Sequence, residues 1–549
     1  MPDHPPIVWL IAGLDTAGGA GLSADQRATE AMGAHGCPIA ATLTAQHSRG
    51  VEAVFPVPLD QLASQVKALA SDMPPRVIKT GLLGSVKAIQ LVAEWVDQLR
   101  AQAPTDVEPH RHLAFVVDPV LRATAGGAPF ADPAIVRAYC EYLLPRATVL
   151  TPNHREAMQL VAASGLQPHS ETLPELAQAL RRLGARSVVI TGGDAPLIGA
   201  DAQHSLDWLD TEQARGWLTA PRIETPHTHG TGCTFASGIA AALALGHVEA
   251  DAVVLAKMLT HDAIRHAHRA GTGAGPVKAR RGFALGPEQG GAPLPLLGLA
   301  TDLPWCLTEA PMHHRGPLFH PFTAPPDGLY GIVAEASLLE AGLRQGLRCI
   351  QLRHKQAATA SAQWAQAIKA SQAYGDALIV INDHWKAVVQ ADTPRPLGLH
   401  LGQEDLLALA PEERHQLLAA RHRIVLGLSS HSVWELARAA GCGASVIACG
   451  PVQPTTTKDM PWLAQGVDNL RWWVANSPSP VVAIGGLLTP DDLIRFGRCG
   501  AAALCVVRGL GQSEAEVSRQ LPALRQTVRQ SRQGSLQDTP SLPHPVLPW

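Results

Sequence analysis

IVWLIAGL, at residues 7–14, is an apolar run of strand length and the first of a series that decides the fold of the N-terminal half. Longer amphipathic segments, such as 59–71 and 85–101, separate the runs, which predicts buried strands alternating with helices. The later runs are CPIAATLTA (37–45), RVIKTGLL (76–83), LAFVVDPV (113–120), ATVLTPN (147–153) and SVVITGG (187–193). This alternation predicts a doubly wound α/β sheet covered on both faces.

Polar residues follow the carboxyl ends of these predicted strands. Asp15 and a Gly-rich run follow the first strand, Gln46 the second and Asp118 the fourth, and Asn153 with Glu156 follows the fifth. Ligands of open α/β sheets bind beyond the carboxyl ends of the strands. We therefore expect these residues to share one cleft.

THGTGCTFAS, at residues 228–237, combines a glycine-rich turn with the apolar, small-residue run 235–245, which predicts a helix. Gly230 and Gly232 permit a tight turn, and the free amides and dipole of a helix N-terminus bind anions. An ordinary turn before a buried helix explains the motif equally well when it is considered alone. The rest of the chain has to decide between the two interpretations.

Composition points to a small-molecule role. The formal net charge is -3 and the pI about 6.8, which gives no electrostatic signature of nucleic acid or anionic membrane binding. The N-terminus lacks a basic leader, and no apolar run approaches the roughly 18 residues that span a bilayer. The nine cysteines are scattered without a metal-ligand spacing, as expected of reduced thiols. These features predict a cytoplasmic protein without a structural zinc site.

A chain of 549 residues is long enough for roughly two to four domains. Residues 284–327 are dense in Pro and Gly and lack periodicity, which predicts a linker between domains at 1–283 and 328–533. The pair His313 and His314 within it is more typical of a linker than of a metal site. Residues 534–549 are polar and Pro-rich, which predicts a disordered tail.

The N-terminal half, over residues 5–283, resembles the hydroxymethylpyrimidine kinase/phosphomethylpyrimidine kinase family of thiamine biosynthesis, whose members have the ribokinase fold. The motifs are AGLDTAGGAGLSAD (12–25), TAQHSRGV (44–51), KTGLLGS (79–85), VVDPV (116–120), TPNHREA (151–157) and THGTGCT (228–234). The resemblance implies ATP as co-substrate, Asn153 and Glu156 as organisers of Mg²⁺ and phosphates, and an anion hole at Gly230, Thr231 and Gly232. It also implies a pyrimidine pocket lined by Gly13, Asp25 and Leu82, with a hydrogen bond from Gln46.

The same resemblance implies that Cys233 faces the substrate hydroxymethyl group, because related sugar kinases carry an Asp base there. A helix N-terminus lowers the pKa of a thiol, so we expect a catalytic base, with a packed helix-start residue as the alternative. Lys257 matches a family lysine near the nucleotide, although a solvated helix lysine fits its position nearly as well. The chain departs from the family at Thr191, where Lys-Gly-Gly is common, which puts one phosphate contact in doubt.

Downstream of the predicted linker, strand-like segments recur with helix-compatible stretches between most of them, which predicts a (β/α)₈ barrel. They are LYGIVA (329–334), CIQLRH (349–354), LIVIND (378–383), GLHLGQ (398–403), IVLGLS (424–429), SVIACGPV (445–452), VVAIGG (481–486) and AALCVV (502–507). Polar residues and glycines cluster at the carboxyl ends of these strands, where barrels build active sites. Each is alternatively a rim charge or a polar turn.

Residues 328–530 resemble thiamine-phosphate synthase through QLRHK (351–355), IND (381–383), HLGQED (400–405), LGLSSHS (426–432), GPVQPTTTK (450–458) and VAIGG (482–486). The resemblance implies that the hydroxymethylpyrimidine diphosphate is bound by Gln351, Arg353, Lys355, Asn382, Ser429 and Lys458. It implies that Mg²⁺ is held by Asp383 and Asp405. It implies that the thiazole phosphate is bound by Thr455, Thr456, Thr457, Gly486, Val506 and Val507. The chain departs from this family at Ala334-Glu335, where an Asp is usual, and in a short insertion at 391–397.

Together the two resemblances predict a bifunctional enzyme, because the diphosphate made by the first domain is a substrate of the second. The expected partners are small molecules, namely hydroxymethylpyrimidine, thiazole phosphate and ATP, and not nucleic acid or membrane. Two alternatives stay open, a pyridoxal-type kinase fused to a phosphate-binding barrel and a regulatory ligand-binding protein with one inactive domain. The sequence also leaves a monomer and a homo-oligomer open.

Overall fold

The computed structural model describes residues 4–121, 132–167, 170–192, 203–309, 317–454, 461–534 and 538–547. Four of the predicted synthase residues, Thr455, Thr456, Thr457 and Lys458, lie outside these ranges, as does the histidine pair at 313–314. The chain divides between Pro295 and Leu296 into two compact units. We refer to them as the first and the second unit.

Nine strands of the first unit form one sheet in the order β9-β8-β7-β6-β5-β4-β1-β2-β3. Their bounds are β1 Ile7–Asp15, β2 His35–His47, β3 Gly50–Pro56, β4 Val77–Thr80, β5 Ala114–Val117, β6 Val149–Leu150, β7 Ser187–Thr191, β8 His204–Asp210 and β9 Arg215–Pro221. The strands from β2 through β1 to β7 pair in parallel, whereas β3, β8 and β9 add antiparallel edges. The predicted doubly wound sheet is confirmed at its centre, and the three antiparallel strands are additions that the sequence pattern does not predict.

Helices cover both faces of this sheet. Their bounds are α1 Gly21–Met32, α2 Leu59–Ala70, α3 Val86–Arg100, α4 Pro109–His112, α5 Pro133–Ala138, α6 His154–Ala163, α7 Leu173–Arg182, α8 Thr231–Ala244 and α9 Glu249–Arg265. Successive side chains of a strand point to opposite faces of the sheet. On one face, Trp9 and Ile11 of β1 pack with α2, α3 and α5 to α7. On the other face, α8 contacts β1, β4 and β5, and α1 and α9 lie beside α8. The run Val8 to Ile11 is fully buried, as a central parallel strand requires.

The second unit is a closed barrel of eight parallel strands that pair in chain order. Their bounds are β11 Leu329–Val333, β12 Cys349–Leu352, β13 Leu378–Asn382, β14 Leu397–Leu401, β15 Ile424–Ser430, β16 Val446–Cys449, β17 Val481–Ile484 and β18 Ala503–Val506. They follow the short strand β10, Leu296–Leu297. The barrel closes because β18 pairs with β11, with Leu504 beside Leu329. The predicted eight-stranded barrel is therefore confirmed, strand by strand.

The helices of the second unit are α10 Trp305–Thr308, α11 Ala336–Arg344, α12 Ala357–Ala373, α13 Trp385–Gln390, α14 Gln403–Ala408, α15 Pro411–Ala419, α16 Val433–Gly441, α17 Gly466–Asn476, α18 Pro490–Gly497 and α19 Glu514–Ser531. Most of them connect one barrel strand to the next, as in a (β/α)₈ barrel. Within the described ranges, no helix of either unit combines the length and the apolar character of a membrane span.

The boundary between the two units, after Pro295, falls within the predicted linker at 284–327, and described residues of that segment pack on the units. Phe283 and Ala292 are buried in the first unit, where the Ala292 amide donates to the Phe283 carbonyl. Farther along, Leu318 donates through its amide to Gly443, and Phe319 is buried in the second unit. The Pro and Gly content of this segment reflects irregular backbone packed on the two units, because buried apolar side chains at its described positions hold it in place.

Residues 538–547, the described part of the predicted disordered tail, also pack on the second unit. His544 forms backbone hydrogen bonds with Asn469 of α17, and Val546 is 2% exposed. The buried side chain of Val546 and the hydrogen-bonded backbone of His544 together anchor the segment.

Candidate active sites

A cavity of about 740 Å³ opens at the carboxyl ends of the parallel strands of the first unit. Every kinase residue predicted from the sequence, except Asp25, lines it. These residues are Gly13, Gln46, Leu82, Asn153, Glu156, Gly230, Thr231, Gly232, Cys233 and Lys257. The predicted convergence of strand ends on one cleft is therefore observed.

The N-termini of α1 and α8 meet at the wall of this cavity. Helix α8 begins at Thr231, directly after Gly230, whose φ of 85° is left-handed. A Cβ at Gly230 would lie 2.1 Å from the Gly19 carbonyl oxygen, so the turn requires glycine. Gly232 faces open space, which leaves the first turn of α8 accessible to an anion.

Cys233 lies in that first turn of α8. Burial raises the pKa of its thiol to about 12, and the carboxylates of Asp25 and Asp118 act in the same direction. The ammonium of Lys79 and a hydrogen bond from the Gly21 amide oppose this shift without reversing it. The expectation of a lowered thiol pKa is wrong for this state of the protein, because desolvation outweighs the helix N-terminus.

Lys79 is the buried cation behind Cys233, and it was not among the site residues predicted from the sequence. Its Nζ lies 2.8 Å from Asp25 Oδ1 and 3.4 Å from Asp118 Oδ2. Burial raises the pKa of both carboxyl groups, although the Lys79 charge lowers them, and Ser237 donates a 2.8 Å hydrogen bond to Asp25. The structure thus places Asp25 behind the cavity wall, bonded to Lys79, and not on the pocket surface where we expected it.

A second polar cluster joins β1 to the turn before α8. His229 Nε2 lies 2.9 Å from Asp15 Oδ2 and 3.3 Å from the side-chain nitrogen of Gln46. Burial favours a raised pKa for Asp15, but the His229 bond and the amides of Ala17 and Ala20 together lower it. Asp15 therefore fixes both the Gly-rich loop and His229 at the edge of the cavity, beside Gln46. His229 was missed because a single histidine in a turn gives no periodic signal.

Lys257 is held by an ion pair and is not a solvated helix lysine. Its Nζ lies 2.6 Å from Asp207 Oδ2, and the Gly192 amide donates to the other oxygen of Asp207 at 3.1 Å. Lys257 and Thr191 both line the cavity. The ammonium of Lys257 therefore lies on the same cavity wall as Thr191.

Asn153 and Glu156 form a capping box at the start of α6. The Asn153 side chain accepts a 2.9 Å bond from the Glu156 amide, and Glu156 Oε2 accepts one of equal length from the Asn153 amide. These bonds give the Asn-x-x-Glu pattern a structural role, since they satisfy amides at the helix N-terminus. Both residues also line the cavity, so their capping role is compatible with a role in ligand binding.

In the second unit, the described residues predicted for the synthase lie at the carboxyl ends of barrel strands. Gln351 of β12 and Asn382 of β13 are buried and joined by a 2.6 Å hydrogen bond. Tyr330 donates through its hydroxyl to the side-chain oxygen Oε1 of Gln351 at 2.9 Å. The side-chain amides of Gln351 and Asn382 are therefore held in a fixed orientation at this end of the barrel.

His400 is a further polar residue at this end of the barrel that was not among the predicted site residues. Its Nε2 lies 2.9 Å from the hydroxyl of Ser429. Burial lowers the pKa of His400 to about 4, with the nearby Arg353 charge acting in the same direction and Asp405 opposing the shift. His400 is thus neutral at neutral pH and holds the hydroxyl of the predicted ligand Ser429.

Gly486, after β17, contacts the loop that follows β16. Its φ is 75°, and a Cβ there would lie 2.3 Å from the Cβ of Gln453. The position therefore requires glycine. The predicted ligand Val506 ends the next strand, β18, and Val507 follows it, so their backbone groups are at the same end of the barrel.

The residue types fit Mg²⁺ bound mainly through substrate. Asp383, with a left-handed φ of 65°, follows β13, and Asp405 accepts a 3.3 Å bond from the Gly402 amide at the start of α14. Within the described ranges, no cluster of three or more His, Cys, Asp or Glu residues could hold a metal ion. Mg²⁺ commonly takes one or two carboxylates and completes its coordination with phosphate oxygens and water, so two aspartates suffice.

Two family models match the chain, one within each unit. The model described as phosphomethylpyrimidine kinase matches residues 15–278. The model described as thiamine monophosphate synthase matches residues 330–510. The first match contains all the predicted kinase residues except Gly13, and the second contains every predicted synthase residue.

Individual proteins give the same division. The thiamine biosynthetic bifunctional enzyme TH1 of Arabidopsis thaliana, a chloroplastic protein, is 30% identical over 540 residues, which covers 96% of this chain and 94% of that enzyme. The hydroxymethylpyrimidine/phosphomethylpyrimidine kinase of Streptomyces coelicolor is 38% identical and covers 52% of this chain and 97% of the kinase. Among solved structures, the pyridoxal kinase of Staphylococcus aureus in complex with AMP-PCP and pyridoxal is 32% identical, with a TM-score of 0.43. The matched region covers 50% of this chain and 93% of the pyridoxal kinase chain.

Proposed function

The chain belongs to the family of bifunctional thiamine biosynthetic enzymes, and we propose that the residues described above carry out its two reactions in sequence. The first unit is a hydroxymethylpyrimidine and phosphomethylpyrimidine kinase domain, and the second is a thiamine-phosphate synthase domain. The diphosphate that leaves the first cavity is the substrate of the barrel.

In the kinase reaction, the hydroxymethyl oxygen of the pyrimidine attacks the γ-phosphorus of ATP, the bond from that phosphorus to ADP breaks, and the hydroxyl proton leaves. A second transfer to the new phosphate gives the diphosphate. Phosphoryl transfer depends mostly on positioning and charge neutralisation. The first turn of α8 receives the transferring phosphoryl group, Lys257 binds the nucleotide phosphates, and Gln46 orients the pyrimidine.

Cys233 is proposed to face the hydroxymethyl group from the first turn of α8. Because its pKa is raised to about 12, the thiol is protonated at neutral pH and cannot act as the expected base. The attacking hydroxyl of a loose transition state keeps its proton until late, so the proton passes to an oxygen of the transferred phosphoryl group, and Cys233 acts by positioning the hydroxyl. Lys79 stabilises the negative charge of the phosphoryl group near Cys233, since its ammonium already acts on that thiol.

In the synthase reaction, the bond from the pyrimidine methylene carbon to the diphosphate oxygen breaks, and the diphosphate leaves with the electron pair. The lone pair of the thiazole nitrogen forms the new carbon–nitrogen bond, which gives thiamine phosphate and pyrophosphate. Arg353 and Lys355 stabilise the leaving group, and Gly486 with the ends of β18 binds the thiazole phosphate. Asp383 and Asp405 in the barrel, and Glu156 with Asn153 in the kinase cavity, would hold Mg²⁺, which neutralises phosphate charge when bound.

One observation carries the kinase assignment: Cys233, Gln46 and Lys257 line a single cavity at the strand ends. The test is to supply ATP and Mg²⁺ with either hydroxymethylpyrimidine or pyridoxal, and separately to supply the pyrimidine diphosphate with thiazole phosphate. We expect preference for the pyrimidine and formation of thiamine phosphate. Preference for pyridoxal would favour the pyridoxal-kinase alternative, and loss of either reaction would favour a regulatory protein with one inactive domain.

We also propose that the chain works in the cytoplasm, although the Arabidopsis relative is chloroplastic. All nine cysteines are free, as in proteins of a reducing compartment. Fractionation of the cells that produce it, followed by immunodetection, tests this placement. Recovery of the chain in an organelle fraction would contradict it.

A further inference from the structure

The C-terminal segment Asp538–Leu547 binds the second unit through its backbone, although it lies beyond the residues matched by the synthase model. The Leu463 amide donates a 2.7 Å hydrogen bond to the Val546 carbonyl, and Val546 is 2% exposed. The His544 amide donates to Asn469 Oδ1 at 2.8 Å, and Asn469 Nδ2 returns a bond to the His544 carbonyl at 3.1 Å. Asn469 is fully buried, so the segment supplies partners that this amide requires.

The segment also contacts Gln465, the residue before α17. His544 Nε2 lies 2.9 Å from the Gln465 carbonyl oxygen. Gln465 is fully buried. Its side-chain nitrogen donates to the His431 carbonyl at 2.5 Å, and its backbone amide donates to the Pro451 carbonyl at 2.8 Å. Gln465 therefore joins the C-terminal segment to the loops that follow β15 and β16.

Those two loops reach the proposed synthase site. His431 follows β15 two residues after Ser429, a proposed ligand of the pyrimidine diphosphate. The Gln453 amide donates to the Gly485 carbonyl at 3.2 Å, and Gly486 lies against Gln453 so closely that a Cβ would overlap it. Contacts thus run from the C-terminal segment through Gln465 and the loop 451–453 to the glycine proposed to bind the thiazole phosphate.

We propose that the C-terminal segment is a positioning element of the synthase site, and that it holds the loop 451–453 and hence Gly486 in the geometry that binds the thiazole phosphate. Its residues touch no substrate in this proposal and act through Gln465. A one-ångström displacement of a binding group is enough to weaken a phosphate site by an order of magnitude. The proposal rests on the synthase function proposed above.

The test uses the full chain and three variants. The first is truncated after Gln533. The second carries Val546→Asp, which places a charge where a buried isopropyl side chain packs. The third carries His544→Ala, which removes only the ring bond to Gln465. Ser541→Ala is the matched control, because Ser541 is an exposed residue of the same segment. Synthase KM for thiazole phosphate and kcat are measured with the pyrimidine diphosphate supplied, and the kinase rate is measured on each sample.

We expect KM for thiazole phosphate to rise about tenfold in the truncated and Val546→Asp chains and about threefold in His544→Ala, with Ser541→Ala and all kinase rates unchanged. A fall in kcat with KM unchanged would mean that fewer barrels are folded, and it would overturn the proposal. An unchanged KM in His544→Ala overturns it even if the two larger changes unfold the barrel, and so does a parallel loss of kinase activity. Absence of thiamine phosphate with the unmodified chain would instead refute the proposed synthase function itself.

Discussion

The ammonium nitrogen of Lys79 lies 2.8 Å from Oδ1 of Asp25, and neither side chain is exposed to solvent. This ion pair lies directly behind Cys233, whose thiol responds to both charges. Burying two charges costs free energy of desolvation. The presence of this ion pair beneath the cavity is therefore better explained by a role in the site than by a gain in stability.

Removal of the Lys79 charge alone destabilises the first unit. Lys79→Met leaves Asp25 and Asp118 without their buried cation, and breaking such a pair costs about 3–5 kcal/mol. Urea unfolding of the variant and the unmodified chain measures the difference. A change below about 1 kcal/mol would contradict the buried pair.

The double variant Lys79→Met with Asp25→Leu separates stability from catalysis. Because it removes both charges of the pair, we expect much of the lost free energy of unfolding to return. Kinase kcat stays low, since the cation that stabilises charge near Cys233 is still missing. Recovery of full kinase activity in the double variant would show that Lys79 has only a structural role.

The ionisation of Cys233 depends on Asp118. That carboxylate raises the thiol pKa, so Asp118→Asn lowers the pKa and speeds alkylation of Cys233 by iodoacetamide at pH 8.5. Lys79→Met has the opposite effect. Peptide-resolved mass spectrometry follows the reaction, and Cys140, whose raised pKa comes from burial, is the internal control. Equal alkylation rates in the three proteins would disprove the electrostatic coupling.

Lys257 is expected to support nucleotide binding. Lys257→Met removes the cation on the wall that carries Thr191, and we expect KM for ATP to rise about tenfold with a smaller change in KM for the pyrimidine. Lys87→Met is a suitable control because Lys87 is an exposed lysine of α3. Steady-state kinetics decide the matter, and equal KM values for ATP in both variants would exclude the role.

Asp405 and its neighbour Glu404 provide a matched pair in the barrel. Both are exposed acids in the first turn of α14, but only Asp405 is a proposed Mg²⁺ ligand. We expect Asp405→Asn to lower synthase kcat/KM by about 10²-fold and to raise the Mg²⁺ concentration required, while Glu404→Gln changes neither. Mg²⁺ titration of the rate is the measurement. Similar losses in both variants would indicate an effect of helix charge alone.

His400 makes the stability of the second unit depend on pH. Burial lowers its pKa from 6.5 to about 4, so the unfolded chain takes up this proton before the folded one. The contribution to stability is present above pH 6.5 and is lost as pH falls toward 4, with a magnitude of about 3 kcal/mol. His400→Gln should therefore flatten the decline between pH 6.5 and 4.5 in urea unfolding. An unchanged slope would refute this assignment.

The sequence predicts the strands of both units well where an apolar run has only one interpretation. Trp9 and Ile11 belong to such a run, and β1 is found there. The pattern fails at β8 and β9, because polar residues such as His204, Asp207 and Arg215 interrupt the apolar periodicity of an antiparallel edge. It fails again at Val546, where a single buried side chain among prolines gives no periodicity at all.

Site residues were predictable where a motif placed them, and less so where burial decides their chemistry. Cys233 and Gln46 stand on the cavity as expected, but the sign of the Cys233 pKa shift depends on desolvation, which no local motif reports. Lys79 gave one usable signal, since a lysine inside the buried strand VIKT has to find a partner. Its two carboxylate partners come from distant segments and could not be identified from spacing.

The central claim is that one chain carries hydroxymethylpyrimidine to thiamine phosphate through a Cys233-dependent kinase and a separate synthase. The most direct measurement incubates the unmodified chain and Cys233→Ala with ATP, Mg²⁺ and thiazole phosphate, and detects thiamine phosphate by mass spectrometry. We predict product from hydroxymethylpyrimidine with the unmodified chain, and from Cys233→Ala only when the pyrimidine diphosphate is supplied. Equal product from hydroxymethylpyrimidine with both proteins, or none from the unmodified chain, would contradict the account.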